Sequence, residues 1–249
     1  MGNYTLEVCV DSVESALAAK QGGADRIELC ANLVIGGTTP CAGLFEEIRS
    51  VCDIRTHVLI RPRYGDFCYT DSEFRIILRE VRRFRRMGAD GVVIGILKPD
   101  GTLDLERIRV LMEEAGEMSV TLHRAFDVCR DPFETMEQAR ELGICTILTS
   151  GQKNHCREGV GLLKELAARE EGSLTIQAGS GVDAAVIREL QPLTGIRAFH
   201  MSGKKLVDSL MGFRKKDVSM GLPLFSEYEI YRTDPEKIRE ARWVLDGLE

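Results

Sequence analysis

Gly22-Gly23-Ala24-Asp25-Arg26-Ile27-Glu28-Leu29-Cys30 reads as the end of a helix followed at once by a short strand. Glycine takes the left-handed backbone that stops a helix, and Ile27 and Leu29 alternate with Glu28 and Cys30 at the two-residue period of a strand. The unit recurs down the chain. Gly88-Ala89-Asp90-Gly91 precedes Val92-Val93-Ile94, Gly143 precedes Ile144–Leu148, Gly172 precedes Leu174–Ile176, and Gly195 precedes Ile196–Phe199. Strand alternating with helix in this way is the signature of a parallel sheet.

Eight strands are predicted, near residues 4–10, 25–30, 56–62, 91–96, 119–124, 144–149, 173–178 and 196–201. The matching helices lie near 12–21, 43–52, 71–87, 104–115, 132–142, 158–170, 183–191 and 235–247. Eight such units in 249 residues fit the α/β class and a single (β/α)8 barrel of the TIM type. An open doubly wound sheet usually has fewer strands and often a G-x-G-x-x-G after the first, where this chain has Asp11-Ser12-Val13-Glu14. No organic cofactor is expected. One domain, 1–249, covers the chain, with a long segment at about 202–234 between the last strand and the last helix. Connections of that length are often functional. Short helical turns near 204–210 are expected there, in either a lid over the barrel mouth or an ordered surface or oligomer segment.

The formal net charge of −6 argues against nucleic acid as a partner. No apolar run approaches the roughly 18 residues of a membrane span. The start, MGNYTLEVCVD, has neither the basic nor the apolar region of a signal peptide. Eight cysteines without a C-x-x-C pair are expected to be reduced thiols in the cytoplasm. The arginines at 75, 79, 82, 83, 85 and 86 read as a solvated helix face with Glu73 and Glu80 as partners.

Candidate chemistry gathers at the strand ends. In Ser119–Pro132, SVTLHRAFDVCRDP, a short apolar strand ends in His123, Arg124 and Asp127, and Asp131-Pro132 opens the next helix. Strand alternation sets Leu6, Val8, Val10, Val58, Ile60, Leu122 and Ile176 toward the helices. The inward parity carries Glu7, Glu28, Arg61, His123, Gln177 and His200, mostly toward the C-terminal ends where such barrels bind ligands. Glu7, Glu28, Arg61, His123 and His200, together with Asp127, are the catalytic candidates; an internal ion-pair network is the structural alternative.

Two glycine-rich turns follow the last two strands. Gly179-Ser180-Gly181-Val182 and Ser202-Gly203-Lys204 are predicted to present backbone N–H groups to a small anion, with Arg61 facing it across the mouth. If they only make tight turns, there is no such site. Cys9 and Cys30 share the inward parity on neighbouring strands about 4.8 Å apart. They are either two small core residues or two ligands for a soft ion such as Cu(I).

Several of these segments resemble the CutC family, named for copper homeostasis. They are Glu7-Val8-Cys9-Val10-Asp11-Ser12, Gly23–Cys30, Ile60-Arg61-Pro62-Arg63 with Gly65-Asp66-Phe67, His123-Arg124-Ala125-Phe126-Asp127, Leu148-Thr149-Ser150-Gly151, Ala178–Val182, and Ser226-Glu227-Tyr228-Glu229 with Thr233-Asp234. The resemblance runs from about residue 4 to 238. It implies a cytoplasmic barrel, a link to copper handling with Cys9 and Cys30 as the metal residues, and a homo-oligomer. It departs at Tyr64, where glycine is expected. The family name specifies no reaction. Three functions therefore stand at this point: a copper-homeostasis protein binding Cu(I), a barrel enzyme acting on a small anionic or phosphorylated substrate, and an inert scaffold.

Overall fold

The computed structural model of the chain describes residues 4–171, 174–218, 220 and 225–248. Eight parallel strands close into a barrel in sequence order. They are β1 (Thr5–Val10), β2 (Arg26–Leu29), β3 (Arg55–Leu59), β4 (Gly91–Ile94), β5 (Ser119–Leu122), β6 (Thr146–Thr149), β7 (Thr175–Ala178) and β8 (Ala198–Met201). The helices between and after them are α1 (Val13–Gln21), α2 (Ala42–Val51), α3 (Asp71–Arg86), α4 (Leu105–Ala115), α5 (Pro132–Glu141), α6 (Val160–Ala167), α7 (Ala184–Thr194) and α8 (Pro235–Asp246). The sequence signals act as expected. Gly195 ends α7 at φ 75°, and the Asp131 carboxylate accepts the Phe133 and Glu134 N–H groups ahead of Pro132. Gly172, expected to end α6, and Ser173, expected to begin β7, lie outside the described residues.

Strand alternation sorts the core into two bodies. Leu6, Val8, Val10, Val58, Ile60, Leu122 and Ile176 pack with helix residues such as Ala16, Phe45, Ile77 and Ile187 in one large apolar layer. Each fully buried aliphatic or aromatic side chain there stabilises the fold by about 1.5–3 kcal/mol. Inside the barrel, Cys9, Cys30, Leu59 and Val93 form a small separate apolar cluster.

The α3 arginines lie on a solvated face. Arg83 pairs with Glu80 at 3.2 Å and Arg82 with Glu114 at 2.5 Å. Glu73, expected as a partner within that helix, instead closes its capping box with Thr70 and pairs with Arg63.

The segment after β8 departs from expectation. Residues 204–208, where helical turns were expected, form strand β9 (Lys204–Asp208), which pairs antiparallel with β10 (Glu229–Thr233). All five β9 residues are exposed, so no apolar alternation marks the strand in the sequence. The hairpin is fastened at one end. The Thr233 N–H donates to Ser15 Oγ on α1, and Thr233 Oγ1 donates to the Ser202 carbonyl.

Candidate functional site

Below the mouth of the barrel lies a buried charged layer. Glu7 on β1 stands in register with Arg26 on β2 and His200 on β8. Its carboxylate accepts from Arg26 Nε and meets His200 Nδ1 at 2.7 Å. Arg26 also reaches Gln177 on β7 at 3.4 Å, and His57 Nδ1 on β3 stands 4.0 Å from the same carboxylate. Burial alone would raise the Glu7 pKa, but Arg26 and the imidazole of His200 outweigh it and hold Glu7 well below the usual carboxylate range. His57 has no cationic role. Desolvation pushes its pKa down to about 4.

His200 links this layer to the cavity above. Its Nε2 stands 3.6 Å from Glu28 Oε2. Burial opposes its charge, but Cys9, Glu7 and Glu28 together raise its pKa well above the ordinary value. Glu28 responds in the opposite sense to most paired carboxylates. Burial dominates, helped by the charge of Glu7, and its pKa is raised despite His200.

Glu28 and His200 line a cavity of about 510 Å³ together with Cys9, Cys30, Arg61, Phe67, His123 and Arg124. His123 is 5% exposed. Its Nδ1 accepts the Ala125 N–H at 3.1 Å, at the start of a 3₁₀ turn over Arg124–Val128. The ring proton therefore sits on Nε2, which has no hydrogen-bond partner among the described residues. Desolvation, with the nearby Arg61 charge, lowers the pKa of this histidine to about 3. Phe67 packs against the ring at 4.7 Å.

Strand β4 makes room for both neutral imidazoles. A Cβ on Gly91 would meet His57 at 2.7 Å, and one on Gly95 would meet His123 Cε1 at 2.5 Å. Glycine inside a strand marks such close approach.

The rim is polar. Ser180, Gly181, Val182, Ser202 and Lys204 line it, so both expected glycine-rich turns reach the cavity. Gly179 stands back, its N–H spent on the Thr149 carbonyl. Gly203 also lies behind the rim, at φ 53°, where a Cβ would strike Ile238 at 2.5 Å. Lys204 Nζ rests 4.9 Å from the centre of the Tyr231 ring, and Tyr231, Arg232 and Thr233 bring β10 into the same wall.

Two candidates hold different positions from those expected. Arg61 lines the cavity, but its guanidinium donates to the carbonyls of Gly36, Gly37 and Gly65, and it lies over Phe67. It braces the loops after β2 and β3 rather than standing free for an oxyanion. Asp127 is not among the cavity-lining residues. Its carboxylate accepts from Thr149 Oγ1, the Ser150 and Gln152 N–H groups and Arg124 Nε, tying the turn after β5 to the loop after β6. Sequence reading missed Arg26, which shares the inward parity of Glu28 and was legible on that ground. It also missed His155, Tyr231 and Arg232, which reach the cavity from a loop and an exposed strand without periodic signal.

The cysteines allow a limited test of metal binding. Cys9 and Cys30 share one buried cluster. Cys9 Sγ donates to the Met201 carbonyl at 3.6 Å and Cys30 Sγ to the Glu28 carbonyl at 3.7 Å. Burial, the Glu28 charge and Cys9 push the Cys30 thiol well up. Among the described residues no group of three or more His, Cys, Asp or Glu side chains is arranged to hold a metal ion. A soft ion held between the two thiols would require deprotonating Cys30 in a dry site.

Comparison with known proteins agrees with this architecture. Barrels of low identity share the fold alone: thiamine phosphate pyrophosphorylase from Pyrococcus furiosus superposes with a TM-score of 0.57 at 16% identity, covering 99% of this chain and 98% of that one. The crystal structure of a Streptococcus agalactiae CutC superposes with a TM-score of 0.76 at 30% identity, covering 80% of this chain and 98% of that one. A family protein CutC of Bacteroides fragilis is 45% identical over 243 residues, 97% of each chain. A human copper homeostasis protein cutC homolog is 41% identical over 246 residues, 98% of this chain and 90% of that one. The CutC family model matches residues 4–205, which include the inward-facing residues of all eight barrel strands; this chain belongs to the CutC family.

Proposed function

We propose that the barrel mouth is an acid–base active site for a small anionic molecule, phosphorylated compounds included. One observation carries the reading: a buried, neutral His123 with an unpartnered Nε2–H shares a cavity with Glu28, a carboxylic group whose pKa burial raises. An inert core would satisfy or exclude such a donor. The turn over Ser180–Val182 and the Ser202–Lys204 turn supply the anion subsite, with Lys204 as its cation. A cytoplasmic setting belongs to the same reading and suits eight free thiols. Among the described residues no helix is long and apolar enough to cross a membrane. Self-association belongs to it as well, favoured by the exposed Leu210, Met211 and Phe213 beyond β9.

A second reading is Cu(I) binding between Cys9 and Cys30. Their shared cluster favours it, as does the likeness to a human protein named for copper homeostasis. One set of calorimetric titrations separates the two. On the acid–base reading, inorganic phosphate binds at millimolar concentration or tighter. Lys204→Ala then weakens it roughly tenfold, the loss of one charge-assisted bond. Changing Cys9 and Cys30 together to Ser leaves phosphate binding intact. Cu(I) held against a competing chelator, lost in that double variant, with no phosphate binding at all, would establish the second reading in place of the first.

A further inference from the structure

We infer that this site moves a proton at a carbon next to a carbonyl, in a small anionic α-hydroxy aldehyde or ketone, with Glu28 as the base and His123 as the donor to the carbonyl oxygen. The inference rests on the acid–base reading above and names its substrate class.

His123 carries the argument. A histidine that accepts a backbone N–H through Nδ1 has its tautomer fixed, so that Nε2 can only donate. The ring cannot swing away. Phe67 packs on it at 4.7 Å, and Ala125 and the bare Cα of Gly95 hold its edge. Nε2 is buried and has no partner among the described residues, although the ring lines the cavity. A fixed, neutral, desolvated donor suits an oxygen that gains negative charge during reaction. Burial and Arg61 keep the ring uncharged at neutral pH. A neutral imidazole in this role stabilises an enolate without first giving up its own proton, the pattern seen where a neutral histidine polarises a carbonyl beside a carboxylate base.

Glu28 complements it. Its carboxyl faces the same cavity, with His200 Nε2 3.6 Å away and the Cys30 thiol also beside it. Lining the cavity together with His123, it is placed to take a carbon-bound proton from a molecule bound there. Glu7 fixes His200 from below, so His200 acts as a positioning residue for Glu28.

The step balances without a cofactor. Glu28 removes the hydrogen from the hydroxyl-bearing carbon as a proton, and the C–H electron pair becomes the C=C bond of the enediol. The carbonyl π pair moves onto oxygen, which takes the hydrogen bond from His123 Nε2. His123 passes its Nε2 proton to that oxygen and recovers one from the neighbouring hydroxyl. Glu28 then returns its proton to the former carbonyl carbon. The product is the isomeric hydroxy carbonyl compound, and nothing is oxidised or reduced overall.

The test uses the whole chain in D2O with dihydroxyacetone phosphate, ribulose 5-phosphate and glyceraldehyde 3-phosphate as probes, followed by proton NMR. The expected result is enzyme-dependent loss of the carbon-bound α-hydrogen signal of at least one probe. Glu28→Gln and His123→Gln should each slow it by 100-fold or more, while Glu28→Asp retains part of the rate. Thermal unfolding of each variant checks that it folds, and the wild-type exchange stands as a measurement without any variant. No exchange with all three probes overturns this inference. If phosphate still binds in that case, the acid–base reading survives; if phosphate does not bind, both fall. Exchange that persists in Glu28→Gln also overturns the assignment.

Discussion

Glu7→Gln should lower the folding stability of this protein by about 3–5 kcal/mol, the usual effect of removing one partner from a buried ion pair. Glu7 is 1% exposed and receives Arg26 from β2 and His200 from β8, the two strands that flank its own. The register puts all three side chains at one level of the barrel; His200 also has the Glu28 carboxylate at 3.6 Å, so the loss falls mainly on the buried Arg26 charge. Glutamine preserves shape and removes the countercharge. The pH dependence gives a second readout. Glu7, with its pKa lowered in the fold, contributes stability above about pH 4.5 that is lost as pH falls. His200, with its pKa raised, contributes stability below about pH 6.5 that is lost as pH rises through its folded value. The variant's deficit is therefore largest between those values and shrinks on either side. Urea unfolding of both proteins across pH 4–9 measures it; a deficit under 1 kcal/mol throughout would contradict the pairing.

The second large effect concerns His57. Its folded pKa is held down to about 4, first by desolvation, against an ordinary value of 6.5. The sign is opposite to that of His200. The stability associated with neutral His57 is complete above pH 6.5 and declines as the unfolded chain takes up a proton that the folded one refuses. At about 1.4 kcal/mol per pH unit, the loss from pH 7 to pH 4 comes to about 3 kcal/mol. His57→Gln does not titrate, so the stability difference between wild type and variant should shift toward the variant by that amount as the pH falls. Guanidinium unfolding at four or five pH values reads it directly; a difference that stays constant with pH would mean that His57 titrates normally in the fold.

The barrel was legible because two local signals agree. Glycines such as Gly88, Gly143 and Gly195 stop helices through their backbone, and the alternation of Leu6, Val8 and Val10 with Glu7 and Cys9 gives each strand a fixed face. That alternation also brought Glu28, His123 and His200 to one cavity on paper before geometry did so. The rest depended on tertiary contacts. Asp127 looks catalytic because it lies four residues after His123, yet β5 ends at Leu122 and the 3₁₀ turn carries Asp127 toward β6. Arg61 has the right parity, but three loop carbonyls claim its guanidinium. The hairpin of β9 and β10 was hidden because β9 is wholly exposed and β10 is buried only toward its end, so hydrophobic spacing does not mark it. Gly91 opens β4 and Gly95 directly follows it, both inside the predicted strand 91–96. Their reason, two imidazoles on the flanking strands, needed the barrel to be closed.

The central claim is that one cavity holds a neutral donor histidine and a charged positioning histidine beneath an anion-accepting rim. The chain has only four histidines, so a nitrogen–proton correlation spectrum of the rings resolves each one. At pH 6 the account predicts His200 as the imidazolium and His57 and His123 as neutral rings, with the His123 proton on Nε2. Added phosphate should shift the His155 and His123 resonances, both from cavity-lining rings, and leave His57 unmoved. A protonated His123 at that pH, or four rings indifferent to saturating phosphate, would contradict it.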